Sequence, residues 1–394
     1  MRGPLAPYVS GFHGDLVDQG YARRSAAGQI ELMSQVSRWM IETGLQLCEL
    51  TPEAVHRFLA VRRAQGCKRG ISLAATAPLM SYLRRVGAVA EPAPNVPAGL
   101  DGVLEEYRTY LIKERGLAPD TIRAYLRTAR WFLSEQSAAE EWTLKEPTAA
   151  EVSAFVVQAV RDRTTGSAKA IVNALRALLR FLHVDGKISK PLNHAVPGVA
   201  SHRLSALPKA LDPSQVDRLL ASCDPATPIG QRDHAILTVL VRLALRAGEV
   251  AALQVSDIDW RHGEVIMHGK ANRDERLPLP ADVGQAIVTW FVQGRPACHV
   301  PHVFTRIRAP YRGLTANGVS DVVREACLRA GLPPMHAHRL RHTAATEMLR
   351  AGADLAEIGQ LLRHRSHATT AIYAKVDRAS LTALARPWPG GGAA

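Results

Sequence analysis

LLRHRSHATTAIYAKVD (residues 361–377) crowds His364 and His367, with Arg363 and Arg365, against a Thr-Thr step. Tyr373 follows nine residues after His364, and tyrosine is scarce, with eight in 394 residues. A tyrosine on an amphipathic helix is most often half-buried packing. A free phenol has a pKa of about 10 and is a poor nucleophile at neutral pH. Cations beside it favour its phenolate, so a cationic surrounding is what a reactive tyrosine needs. The rest of the sequence has to decide between packing and reactivity.

Two further stretches supply such cations. Arg246 ends the apolar run HAILTVLVRLALRAGEV, where an arginine needs an anionic partner; Glu249, three residues on, is the local one. HRLRH (338–342) follows Pro333 and Pro334, near a predicted helix N-terminus. His338 and Arg341 are three apart and project together beside free backbone N–H groups that favour an anion. His338 and His342 have the spacing of a zinc-binding helix pair, but the intervening Glu and a third ligand are missing, so no metal is expected. GEVIMHGKA (263–271) is one residue too long for a phosphate-binding loop and has Ala271 where Ser or Thr is required, which excludes nucleotide binding on that motif. No compact Asp/Glu cluster suggests a two-metal phosphoryl-transfer site. Arg246 and Arg341, each able to grip a phosphate in two places, offer the metal-free alternative.

The totals agree with a polyanionic partner. The net charge is +13, and residues 1–95, 96–200 and 201–394 are each positive, so the excess is spread over the chain. Five cysteines, widely spaced and without a CxxC pair, argue against a disulfide framework. The first ten residues, MRGPLAPYVS, lack an apolar core, and no apolar run approaches spanning length, so an unexported protein without a membrane partner is expected.

Proline-rich breaks at EPAPNVPAG (91–99) and between HAVPGVA (194–200) and SALPKALDPS (205–214) predict three domains: 1–95, 96–200 and 201–394. The middle one reads as helices, with Thr121, Thr148 and Ser167 as N-caps and Gly116 and Gly186 as stops. The first repeats its plan. SRWM (37–40) matches ARWFL (129–133), LTPEAVHRFL (50–59) matches EPTAAEVSAFV (146–156), and SYLRRVGAV (81–89) matches RFLHVDGKI (180–188). Two related helical domains in tandem are expected. In the third segment PSQVDRLLASC, its helix capped by Asp212 or Ser214, and QRDHAILTVLVRLALRAGEVAALQV read as helical. Helical periodicity resumes at SDVVREACLRAGL and continues through HRLRHTAATEMLRAG and DLAEIGQLLRH to the stretch 361–377. Between them 255–280 breaks the pattern: EVIMH and ERLPL flank a polar GKANRD turn, a hairpin signature.

ALRAGEV (244–250), hairpin Lys270 followed by DERLPL, HRLRHTAAT and LLRHRSHATTAIY occur in an order and spacing that resembles the tyrosine recombinase (phage integrase) family. The resemblance runs from about residue 208 to 378, and 96–200 resembles the family's core-binding, SAM-like domain. It implies a mainly α fold with a small antiparallel β-sheet, and site-specific DNA recombination of the integrase or transposase type on mobile elements. Tyr373 would attack the scissile phosphate, leaving a 3′-phosphotyrosyl link and a free 5′-hydroxyl. Arg246 and Arg341 would hold the phosphate oxygens, and Lys270 would protonate the leaving oxygen. His338 and His364 would assist proton transfer, with Glu249 in support. No cofactor is implied. The partner is double-stranded DNA, bound by four protomers on two sites that are monomers in solution, with room for accessory recombinases, in a bacterial cytoplasm at the nucleoid.

Two positions depart from the family pattern: Gly is usual where Arg363 and Ala244 stand. Candidate DNA contacts are Thr121, Arg123, Tyr125, Arg127 and Arg130 on one helix and Lys169, Asn173, Arg176 and Arg180 on another. A solvated basic face explains any one of them equally well. The competing readings are a type IB topoisomerase-like relaxase and a DNA-binding or architectural protein with a vestigial site.

Overall fold

Among the described residues the periodic stretches form helices, and 255–280 holds the one sheet. QRDHAILTVLVRLALRAGEVAALQV, expected as helix, is broken in two at 243–246, where Ala244 takes φ +51°. The helix expected over 361–377 falls mostly outside the described residues. The computed structural model describes residues 2–90, 99–136, 144–200, 210–268 and 274–363, with Thr370 and Tyr373. It divides into two compact units, Pro92–Ser205 and Met1–Glu91 with Ala206–Ala394. The expected boundary at 95 lies outside the described residues, and the one at 200 falls where the described residues stop before 210.

Residues 1–91 keep a core of their own, built from α1 (Val9–Asp18), α2 (Arg23–Thr43), α3 (Pro52–Ala64) and α4 (Leu73–Arg85). Trp39 of α2 meets Phe58 of α3 edge-on at 5.7 Å, and Phe12 of α1 meets Tyr82 of α4 at 5.4 Å. Such tilted contacts suit the ring quadrupoles. The Ala54 N–H donates to the Thr51 hydroxyl to start α3.

The second unit holds α5 (Gly99–Lys113), α6 (Pro119–Glu135), α7 (Ala149–Val160) and α8 (Thr165–Val184) around a second core. Trp131 of α6 meets Phe155 of α7 at 5.0 Å, and Tyr107 and Tyr110 of α5 meet Phe181 of α8 at 5.1 and 5.3 Å. Thr148 caps α7 in a reciprocal box with Glu151, and Gly116 and Gly186 end helices at positive φ. Two expected caps are corrected. Thr121 lies inside α6, which starts at Pro119, because proline's fixed φ favours the first helical turn. Thr164, whose hydroxyl accepts from the Ser167 N–H, caps α8 in place of Ser167.

The remaining chain forms α9 (Pro213–Ala221), with Asp212 as its N-cap, then α10 (Pro228–Arg242) and α11 (Ala247–Ala252). The sheet follows: β1 (Ile258–Asp259), β2 (Glu264–His268) and β3 (Asp274–Pro278), antiparallel in that order, with Val265 opposite Leu277. Val265, Met267 and Leu277 point into the third core. Helices α12 (Ala281–Thr289), α13 (Ala316–Arg329), α14 (Ala337–Arg350) and α15 (Leu355–Leu361) complete the unit.

Within this unit the first 91 residues touch the rest where Tyr311 meets Gln19 and Gly20. The Tyr311 N–H donates to the Gln19 carbonyl at 3.1 Å. Gly20, at φ +81°, leaves room for the Tyr311 ring, which a Cβ would meet at 2.0 Å. Gly66 has a similar φ of +75° but open space around it. Gly66→Ala is therefore expected to cost about 1 kcal/mol of backbone strain, whereas Gly20→Ala adds a collision of about 1–3 kcal/mol. Thermal unfolding of the two variants measures the difference; equal losses would remove the Gly20–Tyr311 contact.

Candidate active site

Arg341 lies in the first turns of α14 and is only 1% exposed. Its Nη1 donates to the Ala244 carbonyl at 2.5 Å and its Nη2 to the Leu362 carbonyl. Both acceptors sit in left-handed turns. Ala244 and Arg363 each have φ +51°, the two positive-φ residues other than glycine among those described. These are the two positions where the sequence departs from the family's usual glycine. The turn is kept, at a strain of roughly 1–2 kcal/mol for each side chain that replaces glycine.

The turn at Ala244 delivers Arg246 to the N-cap of α11. Glu249 accepts from the Arg246 backbone N–H at 2.7 Å and from its Nη1 at 2.7 Å. The local Arg246–Glu249 ion pair expected from the sequence exists, yet Arg246 remains 47% exposed. Glu249 also accepts from Arg363 Nη2 at 2.6 Å and lies 4.0 Å from Arg341 Nη1. Burial pushes the Glu249 carboxyl upward, but the Arg246 N–H and the Arg363 and Arg246 guanidinium groups outweigh it and hold it below the usual range. Burial, then the neighbouring Arg246, pull Arg341 down to about 10, and it stays charged at neutral pH.

His338 packs edge-on against His342 at 4.4 Å. Its pKa is lowered by burial first and then by Arg341 and Arg246, which keeps the imidazole neutral at pH 7. Tyr373 is 1% exposed, among Ala244, Ala345, Ile358 and Leu362. Its hydroxyl lies 2.8 Å from His342 Nδ1. The expected cation-stabilised phenolate is corrected here: burial pushes the Tyr373 phenol up to about 12, outweighing the opposing pull of Arg341.

Arg246, Glu249, His338, Arg341 and Tyr373 are thus brought into one region. Lys270 and His364, with Arg365 and His367, lie outside the described residues. His342 is the partner that sequence reasoning missed. Its i, i+4 relation to His338, which otherwise suggests only a metal-binding pair, is the signal the sequence carries for it. Among the described residues no group of three or more His, Cys, Asp and Glu side chains is arranged to hold a metal.

The DNA-contact candidates divide. Arg123, Arg127 and Arg130 are exposed along α6, Arg123 paired with Asp120 and Arg130 with Asp101 at 2.7 Å. Asn173 and Arg180 are exposed on α8, while Thr121 and Lys169 are half-buried. Tyr125 packs on the core, and Arg176 donates to the Val196 carbonyl at 2.9 Å, so these two have structural work.

A helical unit and a second unit joining helices to a three-stranded antiparallel sheet, with an arginine-rich cluster beside a buried tyrosine, define the class of DNA strand-exchange enzymes. Residues 209–380 match the phage integrase family model and residues 104–186 its N-terminal SAM-like domain. The integrase/recombinase-assigned protein y4rA of Sinorhizobium fredii is 40% identical over 99% of this chain and 96% of its own. Tyrosine recombinase XerD of Listeria monocytogenes is 30% identical over 72% of this chain and 96% of its own. The fold is similar to that of XerH site-specific recombinase bound to a palindromic difH substrate, with TM-score 0.58 and 19% identity over 84% of this chain and 93% of that one. The chain belongs to the phage integrase family, the tyrosine recombinases, enzymes that cleave and rejoin DNA strands.

Two measurements test the geometry. Ala244→Gly relieves a left-handed alanine and is expected to stabilise the protein by up to about 1 kcal/mol, read by thermal unfolding. The difference in ultraviolet absorbance between wild type and Tyr373→Phe should show no phenolate until the pH passes the ordinary phenol value of about 10. Because the folded pKa is raised, the stability that neutral Tyr373 contributes is present below that value and lost as pH climbs toward about 12. A Tyr373 signal near neutrality would contradict the buried phenol.

Proposed function

We propose that this chain is a site-specific recombinase of the integrase or transposase type, using Tyr373 as nucleophile and Arg246 and Arg341 as phosphate-binding groups. The observation that carries the reading is the cation excess beside Tyr373. Arg246, Arg341 and Arg363 share the carboxylate of Glu249, leaving positive charge for an incoming phosphate. The Tyr373 oxygen bonds to phosphorus as the bond to the 5′-oxygen breaks, giving a 3′-phosphotyrosyl link. His342, whose Nδ1 is 2.8 Å from the phenol oxygen, takes the phenol proton. Lys270 gives a proton to the leaving 5′-oxygen, with His338 and His364 assisting and Glu249 holding Arg246. The ester energy is conserved in the link, and reversal by the partner strand's 5′-hydroxyl rejoins DNA.

The partner is double-stranded DNA, with four protomers on two sites, in the cytoplasm. This follows family members such as the lambda integrase tetramer bound to a Holliday junction. The exposed arginines of α6 and the polar residues of α8 supply the core-binding contacts. Residues 1–95 are a duplicate of the 96–200 domain. Each matched sequence pair falls on the corresponding helix, α2 with α6, α3 with α7 and α4 with α8. The Trp39–Phe58 contact also has its counterpart in Trp131–Phe155. A second DNA-holding surface in residues 1–95 follows from that duplication.

A randomised pool of nicked duplexes should yield a covalent protein–DNA adduct that persists in EDTA and vanishes in Tyr373→Phe. An adduct that survives this substitution, or none from the wild type, overturns the assignment. Lys270→Ala should slow cleavage by at least about a hundredfold, and a 5′-sulfur leaving group, which needs no proton, should restore it. Failure of that rescue removes Lys270 from the acid role.

A further inference from the structure

Arg363 replaces a glycine at φ +51°, a conformation that a long side chain adopts only with strain. It is nonetheless inside, with its side chain 10% exposed. Nη2 donates to Glu249 at 2.6 Å, and Nε lies 3.8 Å from Glu275 on β3. Nη1 is buried and has no hydrogen-bond partner among the described residues. A buried, charged donor without an acceptor is strongly disfavoured unless something else supplies one.

A structural brace does not account for this arrangement. The brace to Glu249 and Glu275 engages Nη2 and Nε, and leaves Nη1 without purpose. Glycine would serve the turn without strain. Glu249 already pairs with Arg246, so a further guanidinium at 2.6 Å adds charge to a cluster in excess of cations. Glu275, half-exposed and distant from direct bonding, offsets it weakly. The acceptor that suits this cluster is an anion with several oxygens around one centre. A phosphodiester has two non-bridging oxygens, and their negative charge grows as the nucleophile adds to phosphorus.

We propose that Arg363 is a third phosphate-binding arginine of this site, its Nη1 taking a non-bridging oxygen of the DNA phosphate that Tyr373 attacks. This rests on the recombinase reading above. Arg363 then does more than its usual glycine: it joins the Glu249 cluster to β3 and adds a donor to the charge that develops in the transition state. Strand β3 and the C-terminal end of α15 are thereby held to the same phosphate.

The test uses full-length protein and a suicide duplex captured by the wild type from the randomised pool, with either phosphate or methylphosphonate at the cleaved position. Arg363→Gly should keep its melting temperature, since glycine suits this φ, and should form the Tyr373 adduct about ten- to a hundredfold more slowly on phosphate. On methylphosphonate, where a methyl group replaces one charged oxygen, the deficit should shrink toward onefold. Equal cleavage of phosphate by variant and wild type overturns the proposal. So does an equal deficit on both substrates, or the same loss in Glu275→Gln, since either result marks a brace only. In all three the wild-type adduct still forms and the recombinase reading survives; absence of that adduct overturns both.

Discussion

A buried guanidinium dictates the layout of this site. Arg341 loses nearly all its hydration in α14, and a charged group so placed must find acceptors. It finds two backbone carbonyls, those of Ala244 and Leu362, at chain positions about 120 residues apart. Each acceptor belongs to a left-handed turn that ends or precedes a short helix. The turn at Ala244 starts α11 and presents Arg246 at its N-cap. The turn at Arg363 ends α15. One side chain therefore fixes three elements, and Glu249 fastens the same three from the other side.

Periodicity made the helices legible, because their apolar spacing is a local property that packing then rewards. The hairpin was equally open, since β-rich runs about a polar turn have few other solutions. Helix starts were less so. Thr121 and Ser167 are good capping residues by type, but Pro119 and Thr164 lie a few residues earlier and win by position. Arg246, Glu249, His338, Arg341 and Tyr373 could be named as site members because arginines in apolar surroundings and an order of motifs carry that information. The attachment of residues 1–91 to the C-terminal segment could not. It includes a backbone hydrogen bond from Tyr311 to Gln19 and a ring over Gly20, neither of which leaves a periodic trace.

The departures at Ala244 and Arg363 show how a sequence signal can be visible and still unreadable. The loss of glycine was evident at both positions. Its consequence depended on whether the backbone abandoned the left-handed turn or kept it at a cost. Arg341 decides the matter: moving either carbonyl would leave a buried guanidinium short of an acceptor, which costs more than about 1–2 kcal/mol of turn strain. The turns therefore persist, and the side chains added there must go where the turns point them. For Ala244 that is the small apolar cluster with Tyr373; for Arg363 it is the carboxylate of Glu249.

The same balance of burial against charge explains the tyrosine. Counting cations along the sequence favoured a phenolate, because sequence proximity reports charge but not desolvation. In the folded chain desolvation wins, and at pH 7 a phenol with a pKa of about 12 is ionised in only about one molecule in 10^5. A bound phosphate adds negative charge and shifts that balance further toward the neutral form. Attack through a pre-formed phenolate is thus a route the site opposes. Under the proposed function, proton removal during attack fits this balance better, since a positioned base contributes about 10²–10⁴-fold and acts only as the phenol oxygen becomes more acidic. In the proposed mechanism His342 is therefore the group that relieves the phenol of its proton, and the arginines act on the phosphate, where charge is gained, rather than on the tyrosine, where it is lost.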